Sequence, residues 1–279
     1  MQKVQKISNR LIPGYRLGIS ITLIGLLLIV VIPFASLFIQ GLTIGFKQFW
    51  FQATNARILA SYAVSLKGAF LAALINTFLG LILAWVLTFY QFPGKRLLDC
   101  LLDLPFALPT AVAGIALAYL FSDKGWLGRL AAPLHIQIAY TFTGIVIAMV
   151  FVTIPFVVRE VQPVLAQLDN TYQEAALTLG ANSWTIFRKI IFPEILPALI
   201  AGFGLAFARS LGEYGSVIFI AGNQPFKTEI TPLMIMFQLE AHSYTGATVI
   251  ALVMLVFSFC FIFVIHALQR HLERKKGTP

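Results

Sequence analysis

The chain alternates long apolar runs with short polar connections that carry most of its charged residues. A helix that crosses a membrane needs about 20 largely apolar residues. Six segments reach this length: Leu17–Ile39, Gly68–Phe89, Leu101–Phe121, Ile138–Val158, Leu196–Ala221 and Ala247–Leu268. Prolines lie inside or at the edges of several of them, which is tolerated where neighbouring helices satisfy the freed carbonyls. The pattern predicts an all-α bundle of six spans, with the last five forming a pore core and the first packed outside it.

Composition excludes a soluble protein of this length. Hydrophobic residues make up 59% of the chain and charged residues 11%, whereas soluble domains are about a quarter charged. The first apolar run, Leu17–Ile39, follows a basic stretch and is longer than the roughly 7–15 apolar residues of a signal peptide, so we expect a retained span. We therefore predict one transmembrane domain, residues 17–268, between tails at residues 1–16 and 269–279.

The distribution of Lys and Arg predicts the orientation of the bundle. With the N-terminus in the cytoplasm, thirteen basic residues lie inside: Lys3, Lys6, Arg10, Arg16, Lys95, Arg96, Arg159, Arg188, Lys189, Arg270, Arg274, Lys275 and Lys276. Six lie outside: Lys47, Arg57, Lys67, Lys124, Arg129 and Lys227. We expect a multi-pass protein of the cell inner membrane with both termini cytoplasmic. The net charge of +9 follows from these clusters and does not indicate nucleic-acid binding.

The longest predicted cytoplasmic connection, Arg159–Ile195, contains the signals for two helices. Thr171 is followed three residues later by Glu174, the spacing of a capping box that starts a helix. Gly180 suits the left-handed position that ends it. Together these residues predict a first helix that begins at Thr171 and stops at Gly180.

A second helix is predicted directly after this turn. Asn182 or Ser183 can cap it, and Trp184, Phe187 and Ile191 follow at helical spacing before Pro193 ends it. From these residues alone, the helix pair is equally compatible with a re-entrant hairpin on its own bundle and with a docking element for another protein.

The same stretch resembles the signature loop of permease subunits of ABC-type importers, which reads EAA, three residues, G, nine residues, I, x, L, P. The chain carries the following residues at that spacing: Glu174, Ala175, Ala176, Gly180, Ile190 and Pro193. Phe192 stands where the family usually has Leu. The resemblance implies that this segment docks into a groove on a cytoplasmic ATPase and passes its motion to the spans. Trp184 and Phe187 would anchor it, as bulky apolar residues on an amphipathic helix do.

A narrower resemblance covers most of the chain from Phe92 to about Gly222. Three stretches carry it: residues 104–114 (LPFALPTAVAG), residues 154–165, which contain IPFVVR and VQPVL, and residues 209–215 (RSLGEYG). They are similar to the T-type permease subunit of sulfate/thiosulfate importers. Molybdate permeases share parts of the first and last stretches, usually with a second Pro where this chain has Thr110, and remain the alternative.

This resemblance implies a type I ABC importer permease fold and a set of partners. The partners are a second permease subunit of the W type, two cytoplasmic ATPase subunits, an extracytoplasmic sulfate-binding protein and membrane lipid. A Walker A loop around Gly94-Lys95 would need glycine at Phe89, so we expect no ATP site on this chain. The sequence predicts neither catalysis nor a metal site, since its histidines and its two cysteines lack ligand spacing.

Arg209 and Glu213 are charged residues that lie inside the predicted fifth span. A charge inside a membrane costs about 2.5–3.5 kcal/mol on insertion scales, which usually reflects a functional or pairing role. Their i, i+4 spacing permits mutual neutralisation. The pair either locks helices together or lines the translocation pathway, with Arg209 attracting an oxyanion and Glu213 setting a gate. Thr110 and Ser210 are further hydrogen-bonding candidates for the pathway.

The sequence is compatible with two other functions. A proton-coupled secondary carrier would use Glu213 as its relay, but the sequence shows no inverted repeat. A membrane scaffold would carry no solute at all. Dependence of transport on the ATPase or on the proton gradient distinguishes the first of these from an ABC importer.

Overall fold

The computed structural model describes residues 14–275. The predicted cytoplasmic residues Lys3, Lys6, Arg10 and Lys276 lie outside the described residues. Regular structure in the described part is helical throughout, with no strand. The all-α prediction is therefore confirmed.

Five helices are long and apolar enough to cross a membrane, and they define the bundle. They are α1 (Tyr15–Thr43), α3 (Ala56–Phe89), α8 (Phe142–Ala166), α10 (Ser183–Leu211) and α13 (Tyr244–Lys275). Eight shorter α-helices and a 3-10 turn at Ala132–Leu134 connect or extend them in the described part of the chain. These α-helices are α2 (Phe46–Ala53), α4 (Lys95–Leu102), α5 (Leu104–Ala107), α6 (Thr110–Phe121), α7 (Trp126–Ala131), α9 (Asn170–Thr178), α11 (Gly215–Ile220) and α12 (Thr231–Glu240).

The centre of the bundle is α8, which packs against both α3 and α10. Two glycines make this close approach possible. A Cβ added at Gly80 of α3 would lie 2.8 Å from Val157 Cβ, and one added at Gly202 of α10 would lie 3.0 Å from Val157 Cα. Small residues at helix contacts allow backbones to approach closely, which favours association where lipid removes the hydrophobic driving force.

The first long helix lies at the edge of this core. None of the residues in the apolar 18-residue window of α1 is buried. In the corresponding window of α8, 56% of the residues are buried. Helix α1 contacts α13, where the rings of Phe34 and Phe259 meet edge-on with centroids 6.2 Å apart. This agrees with the expectation that the first span packs outside the pore core.

The predicted third span, Leu101–Phe121, is not one helix. It is divided among α4, α5 and α6, with Pro105 in the first turn of α5 and Leu108 extended (φ −85°, ψ 136°) before Pro109. A residue before proline is pushed out of the helical region, which explains the break at Leu108. The count of six spanning helices is not confirmed, because five of the described helices are long enough to cross.

The predicted fifth span, Leu196–Ala221, is wrong at both ends. Helix α10 begins at Ser183, stops at Leu211, and is followed by a bend and the separate helix α11. Pro193 does not end a helix, because a wide π-helical turn at Phe187–Ile191 precedes it and the Phe192 N–H bonds the carbonyl of Phe187. Proline crowds the carbonyl four residues before it, and the wider turn accommodates that crowding within a continuous helix.

Candidate functional site

The predicted signature segment, residues 159–195, contains the end of α8, α9 and the start of α10; we call it the coupling segment. Its first helix is capped by Asp169, whose Oδ1 accepts hydrogen bonds from the Thr171 amide (2.9 Å) and hydroxyl (2.6 Å). The predicted capping box of Thr171 and Glu174 is therefore wrong, because Thr171 donates to the cap and does not act as one. The Thr171 hydroxyl, followed by the amide, lowers the pKa of the exposed Asp169 carboxyl.

The turn after α9 is the one that Gly180 predicts. Gly180 has φ +79°, its N–H donates to the carbonyl of Leu177 (2.9 Å), and the Ala181 N–H donates to that of Ala176 (3.0 Å). These two bonds form a Schellman motif, which satisfies the last carbonyls of the helix. The left-handed cap at Gly180 is confirmed.

The second helix of the segment starts as predicted. Asn182 precedes it in extended backbone, and its Oδ1 accepts a hydrogen bond from the Thr185 N–H at 2.8 Å. Because Gly180 and Asn182 fix both sides of one short turn, α9 and the start of α10 form a helix–turn–helix held by local hydrogen bonds.

Large apolar side chains on this helix pair face outward. Leu179 is 87% exposed and Trp184 67%, and Tyr172 and Leu177 are also exposed. We call these four residues the docking surface. Large exposed apolar residues close together in the chain are a feature of interaction sites. Of the predicted signature residues, Glu174, Ala175, Gly180 and Pro193 are exposed, whereas Ala176, Phe187 and Ile190 are half-buried.

The same segment is packed onto the bundle from its inner side. Trp184 stacks on Phe187 with ring centroids 5.7 Å apart, and Phe187 meets the ring of Trp85 on α3 edge-on, also at 5.7 Å. The predicted stripe of Trp184, Phe187 and Ile191 therefore passes from an exposed residue to a buried one. Trp184 is therefore connected to α3 by direct ring contacts through Phe187 and Trp85.

Arg209 and Glu213 form the ion pair that their spacing predicts, with Arg209 Nη1 2.8 Å from Glu213 Oε2. Glu213 lies in the bend after α10, where its Oε1 accepts hydrogen bonds from the Ser216 N–H (3.0 Å) and hydroxyl (2.9 Å). The Glu213 side chain is 1% exposed and the Arg209 side chain 37%. The carboxylate is thus fixed inside the fold, while part of the guanidinium remains open.

The other two pathway candidates have different surroundings. Thr110 is half-buried in the first turn of α6, and a Cβ at Gly215 would collide with its hydroxyl, so α6 and α11 approach closely there. Ser210 is fully buried. The structure places Arg209, Ser210 and Glu213 at one bend, and their role in a pathway stays a prediction.

Ser210 belongs to a polar cluster that the sequence analysis missed. Its hydroxyl lies 3.3 Å from that of Thr153 on α8, which in turn accepts a hydrogen bond from Asn76 Nδ2 on α3 at 2.8 Å. Polar residues inside spans often hydrogen-bond across helices. The cluster joins the three central helices. A polar residue inside an apolar run, Asn76, was the feature of the sequence that could have indicated it.

Three ion pairs at two sites were also missed. Arg57 at the start of α3 forms a bidentate pair with the buried Glu229, through bonds of 2.8 and 2.7 Å. Arg159 on α8 bonds both Asp99 and Asp103 near α4. Carboxylates four residues apart at the edge of an apolar run could have indicated the second site. No three His, Cys, Asp or Glu side chains among the described residues are grouped to hold a metal ion.

A family comparison covers most of this architecture. The family described as "Binding-protein-dependent transport system inner membrane component" matches residues 76–277, which include the later part of α3, the whole of α8 and α10, the coupling segment and the bend at Glu213. The chain belongs to this family. The predicted membership among importer permeases is thereby confirmed.

Curated relatives of the chain carry sulfate permease names. It is 48% identical over 268 residues to the sulfate transport system permease protein CysT of Escherichia coli (strain K12), covering 96% of this chain and 97% of the relative. It is 45% identical over 250 residues to the CysT protein of Synechocystis sp., covering 90% and 87%. The predicted resemblance to the T-type permease is confirmed by these matches.

Solved transporters share the fold at low sequence identity. A bacterial ABC transporter for import of the acidic polysaccharide alginate matches with TM-score 0.76 and 15% identity, over 92% of this chain and 96% of that chain. The MetNI methionine ABC transporter in inward-facing conformations matches with TM-score 0.58 and 16% identity, over 77% and 95%. The type I importer permease fold is confirmed by these matches.

Proposed function

We propose that this chain is the membrane-spanning permease subunit of an ATP-driven importer that carries sulfate and thiosulfate into the cytoplasm. The observation that supports this most strongly is the near full-length identity to sulfate permease proteins from distant bacteria. A permease subunit supplies a pathway and coupling surfaces, and needs no catalytic group of its own.

The coupling segment and the family support a set of partners for this chain. Two ATPase subunits bind ATP, and the docking surface of Tyr172, Leu177, Leu179 and Trp184 enters a groove on one of them. A W-type second permease completes the pore, and an extracytoplasmic binding protein delivers the anion. An alginate transporter of the same fold has been solved in complex with a periplasmic protein loaded with its substrate, which supports the last of these partners.

The charged pair suggests how the pathway attracts its substrate. Glu213 is held by Ser216 and offers no free carboxylate to repel an anion. The solvent-accessible part of Arg209 then provides a positive charge for an oxyanion, and Thr110, which lies against Gly215 just after the bend, provides a hydroxyl group. Ser210 is fully buried beside Thr153 and supports the bend from inside. Charge-assisted hydrogen bonds of this type are about twice as strong as neutral ones.

Deletion of this chain alone is expected to abolish ATP-dependent uptake of labelled sulfate and thiosulfate. Re-expression restores both in cells whose ATPase is intact, and not in cells whose ATPase lacks its catalytic residues. Initial rates with labelled sulfate, thiosulfate and molybdate provide the measurement. Restored uptake of molybdate alone would replace sulfate by the molybdate alternative, and uptake that depends on the proton gradient would replace the importer by a secondary carrier.

Single cysteines at Gln167 and Gln224 are expected to label from opposite sides of the membrane. Both positions are exposed, and the one long helix α10 separates them. The experiment uses an impermeant thiol reagent on a background with Cys100 and Cys260 replaced, since both are exposed. Gln167 should label from the cytoplasm, and labelling of both cysteines from one side would contradict the topology.

The same assay tests the sixth crossing. Five crossing helices would place the two termini on opposite sides, so cytoplasmic termini require the broken segment α4–α6 to cross as well. Cysteines at Gln91 and Asp123, both exposed, flank that segment. Labelling from opposite sides supports six crossings, and labelling from one side leaves five.

A further inference from the structure

Arg159 is the centre of a five-bond cluster between α8 and α4. Its Nη1 bonds Asp99 Oδ1 (2.7 Å) and Gln162 Oε1 (3.0 Å), and its Nη2 bonds Asp103 Oδ2 (2.6 Å) and the Asp99 carbonyl (3.2 Å). Its Nε bonds Asp103 Oδ1 at 3.0 Å. Bidentate pairing of Arg with a carboxylate fixes geometry as well as charge, so this cluster holds α4 and α8 in one relative position.

The two helices that the cluster joins have different neighbours along the chain. Helix α8 continues from Arg159, the first residue of the coupling segment, for about two turns to Ala166 and is followed by α9. Helix α4 leads through Asp103 into the broken segment, where α6 packs against α11 just after the bend at Glu213. The Arg159 cluster therefore connects two elements through polar contacts. One is α8, which is followed by the docking surface, and the other is α4, which leads to α6 beside the pathway candidates.

The three charged side chains of the Arg159 cluster are partly exposed to solvent. The side chains of Arg159, Asp99 and Asp103 are 35%, 43% and 49% exposed. Exposed ion pairs contribute little to stability unless several charges form a network with good geometry. Because all three groups can be hydrated when separated, loss of the cluster should disturb the position of α4 more than the folding of the bundle.

We infer that Arg159 is a positioning residue for coupling: it transmits movement of the coupling segment through α8 to the broken segment α4–α6. The inference rests on the proposed function, since it needs an ATPase that moves the coupling segment. Coupling between separate sites requires an element with a physical connection to both, and the cluster provides one.

The test is uptake per ATP hydrolysed in proteoliposomes that contain the assembled importer, its binding protein and labelled sulfate. For Arg159→Gln we expect ATP hydrolysis to continue and sulfate uptake per ATP to fall about tenfold, within the range of typical coupling between sites. Arg159→Lys keeps the charge but loses the bidentate geometry, and should recover the ratio only in part.

Arg57→Gln is the matched control. Arg57 also forms a bidentate pair, but with Glu229 on the loop before α12, away from the coupling segment. Its loss should lower the amount of folded protein and leave uptake per ATP unchanged in the protein that remains. An equal fall of the ratio in Arg57→Gln and Arg159→Gln would overturn the inference.

A triple variant separates charge balance from positioning. Asp99→Asn and Asp103→Asn added to Arg159→Gln remove the two carboxylates that lose their counter-charge, and uptake per ATP should stay low. Recovery of uptake per ATP would show that Arg159 only neutralises charge. Absence of ATP-dependent sulfate uptake in the wild-type importer would instead contradict the proposed function itself.

Discussion

Gly180→Val is expected to abolish co-purification of the ATPase with this chain and to leave the helix bundle folded. Gly180 has φ +79° in the Schellman turn between α9 and α10, a conformation that costs a β-branched residue about 1–3 kcal/mol. A Cβ at this position meets no atom within 4 Å, so the cost arises from backbone strain alone. The turn should rearrange and the docking surface lose its shape. Pull-down of the ATPase and ATP-dependent sulfate uptake provide the two measurements.

Gly45→Val is the matched control for this substitution. Gly45 has φ +76° and equally open space around its Cβ, but lies between α1 and α2 at the edge of the bundle. It should reduce abundance without reducing the ATPase recovered per molecule. Equal recovery of the ATPase with Gly180→Val and wild type would contradict a docking role for the coupling segment.

Trp184→Ala tests the docking surface without backbone strain. The side chain is 67% exposed, so its loss should leave folding intact, while loss of an aromatic anchor from an interface costs about 2 kcal/mol or more. Glu174→Lys should also weaken docking, because it reverses the charge of an exposed residue in α9. Its effect cannot arise through N-terminal capping, since Asp169 caps that helix.

Arg209→Gln is expected to lower the amount of folded protein more than Glu213→Gln does. Removal of Arg209 leaves the Glu213 carboxylate, 1% exposed, without its counter-charge, and breaking a buried pair costs about 3–5 kcal/mol. Removal of the Glu213 charge leaves an arginine that is 37% exposed and can be hydrated. The glutamine in Glu213→Gln retains an oxygen for the Ser216 N–H, so the bend keeps its hydrogen bond. Quantitative immunoblots of the membrane fraction compare the two variants.

The double variant distinguishes a structural pair from a pathway charge. Arg209→Gln with Glu213→Gln removes both charges and should restore abundance. If Arg209 attracts the oxyanion, sulfate uptake stays low at restored abundance, which is the result we expect. Normal uptake by the double variant would remove Arg209 from the pathway. Normal abundance of all three variants would show that water reaches Glu213, against its burial here.

Patterns local in sequence determined most of the architecture. Runs of about 20 apolar residues predicted the membrane bundle, because each spanning helix satisfies its own backbone hydrogen bonds and its length is fixed by the bilayer. Gly180 and Asn182 predicted the turn of the coupling segment, since both act on amides and carbonyls within a few residues. Arg209 and Glu213 predicted their own ion pair for the same reason.

The errors arose where two local signals competed or where a wider turn was available. Thr171 suited a cap, but Asp169 two residues earlier accepts both of its hydrogen bonds. Pro193 was interpreted as a helix end, yet the π-helical turn before it lets α10 continue. The helix breaks after Ala107 and Leu211 depend on how neighbouring helices satisfy the freed backbone groups. The hydropathy of a segment carries no information about those neighbours.

Only the tertiary structure brought together residues that lie far apart along the chain. Asn76, Thr153 and Ser210 meet because α3, α8 and α10 approach through Gly80 and Gly202. Arg159 reaches Asp99 and Asp103 across about 60 residues of chain, and Arg57 reaches Glu229 across 172. Sequence patterns report the periodicity of one helix, whereas these partners are set by the packing of several helices. The sequence therefore determined which segments enter the membrane and which turn presents the docking surface, and helix packing decided which polar groups pair inside.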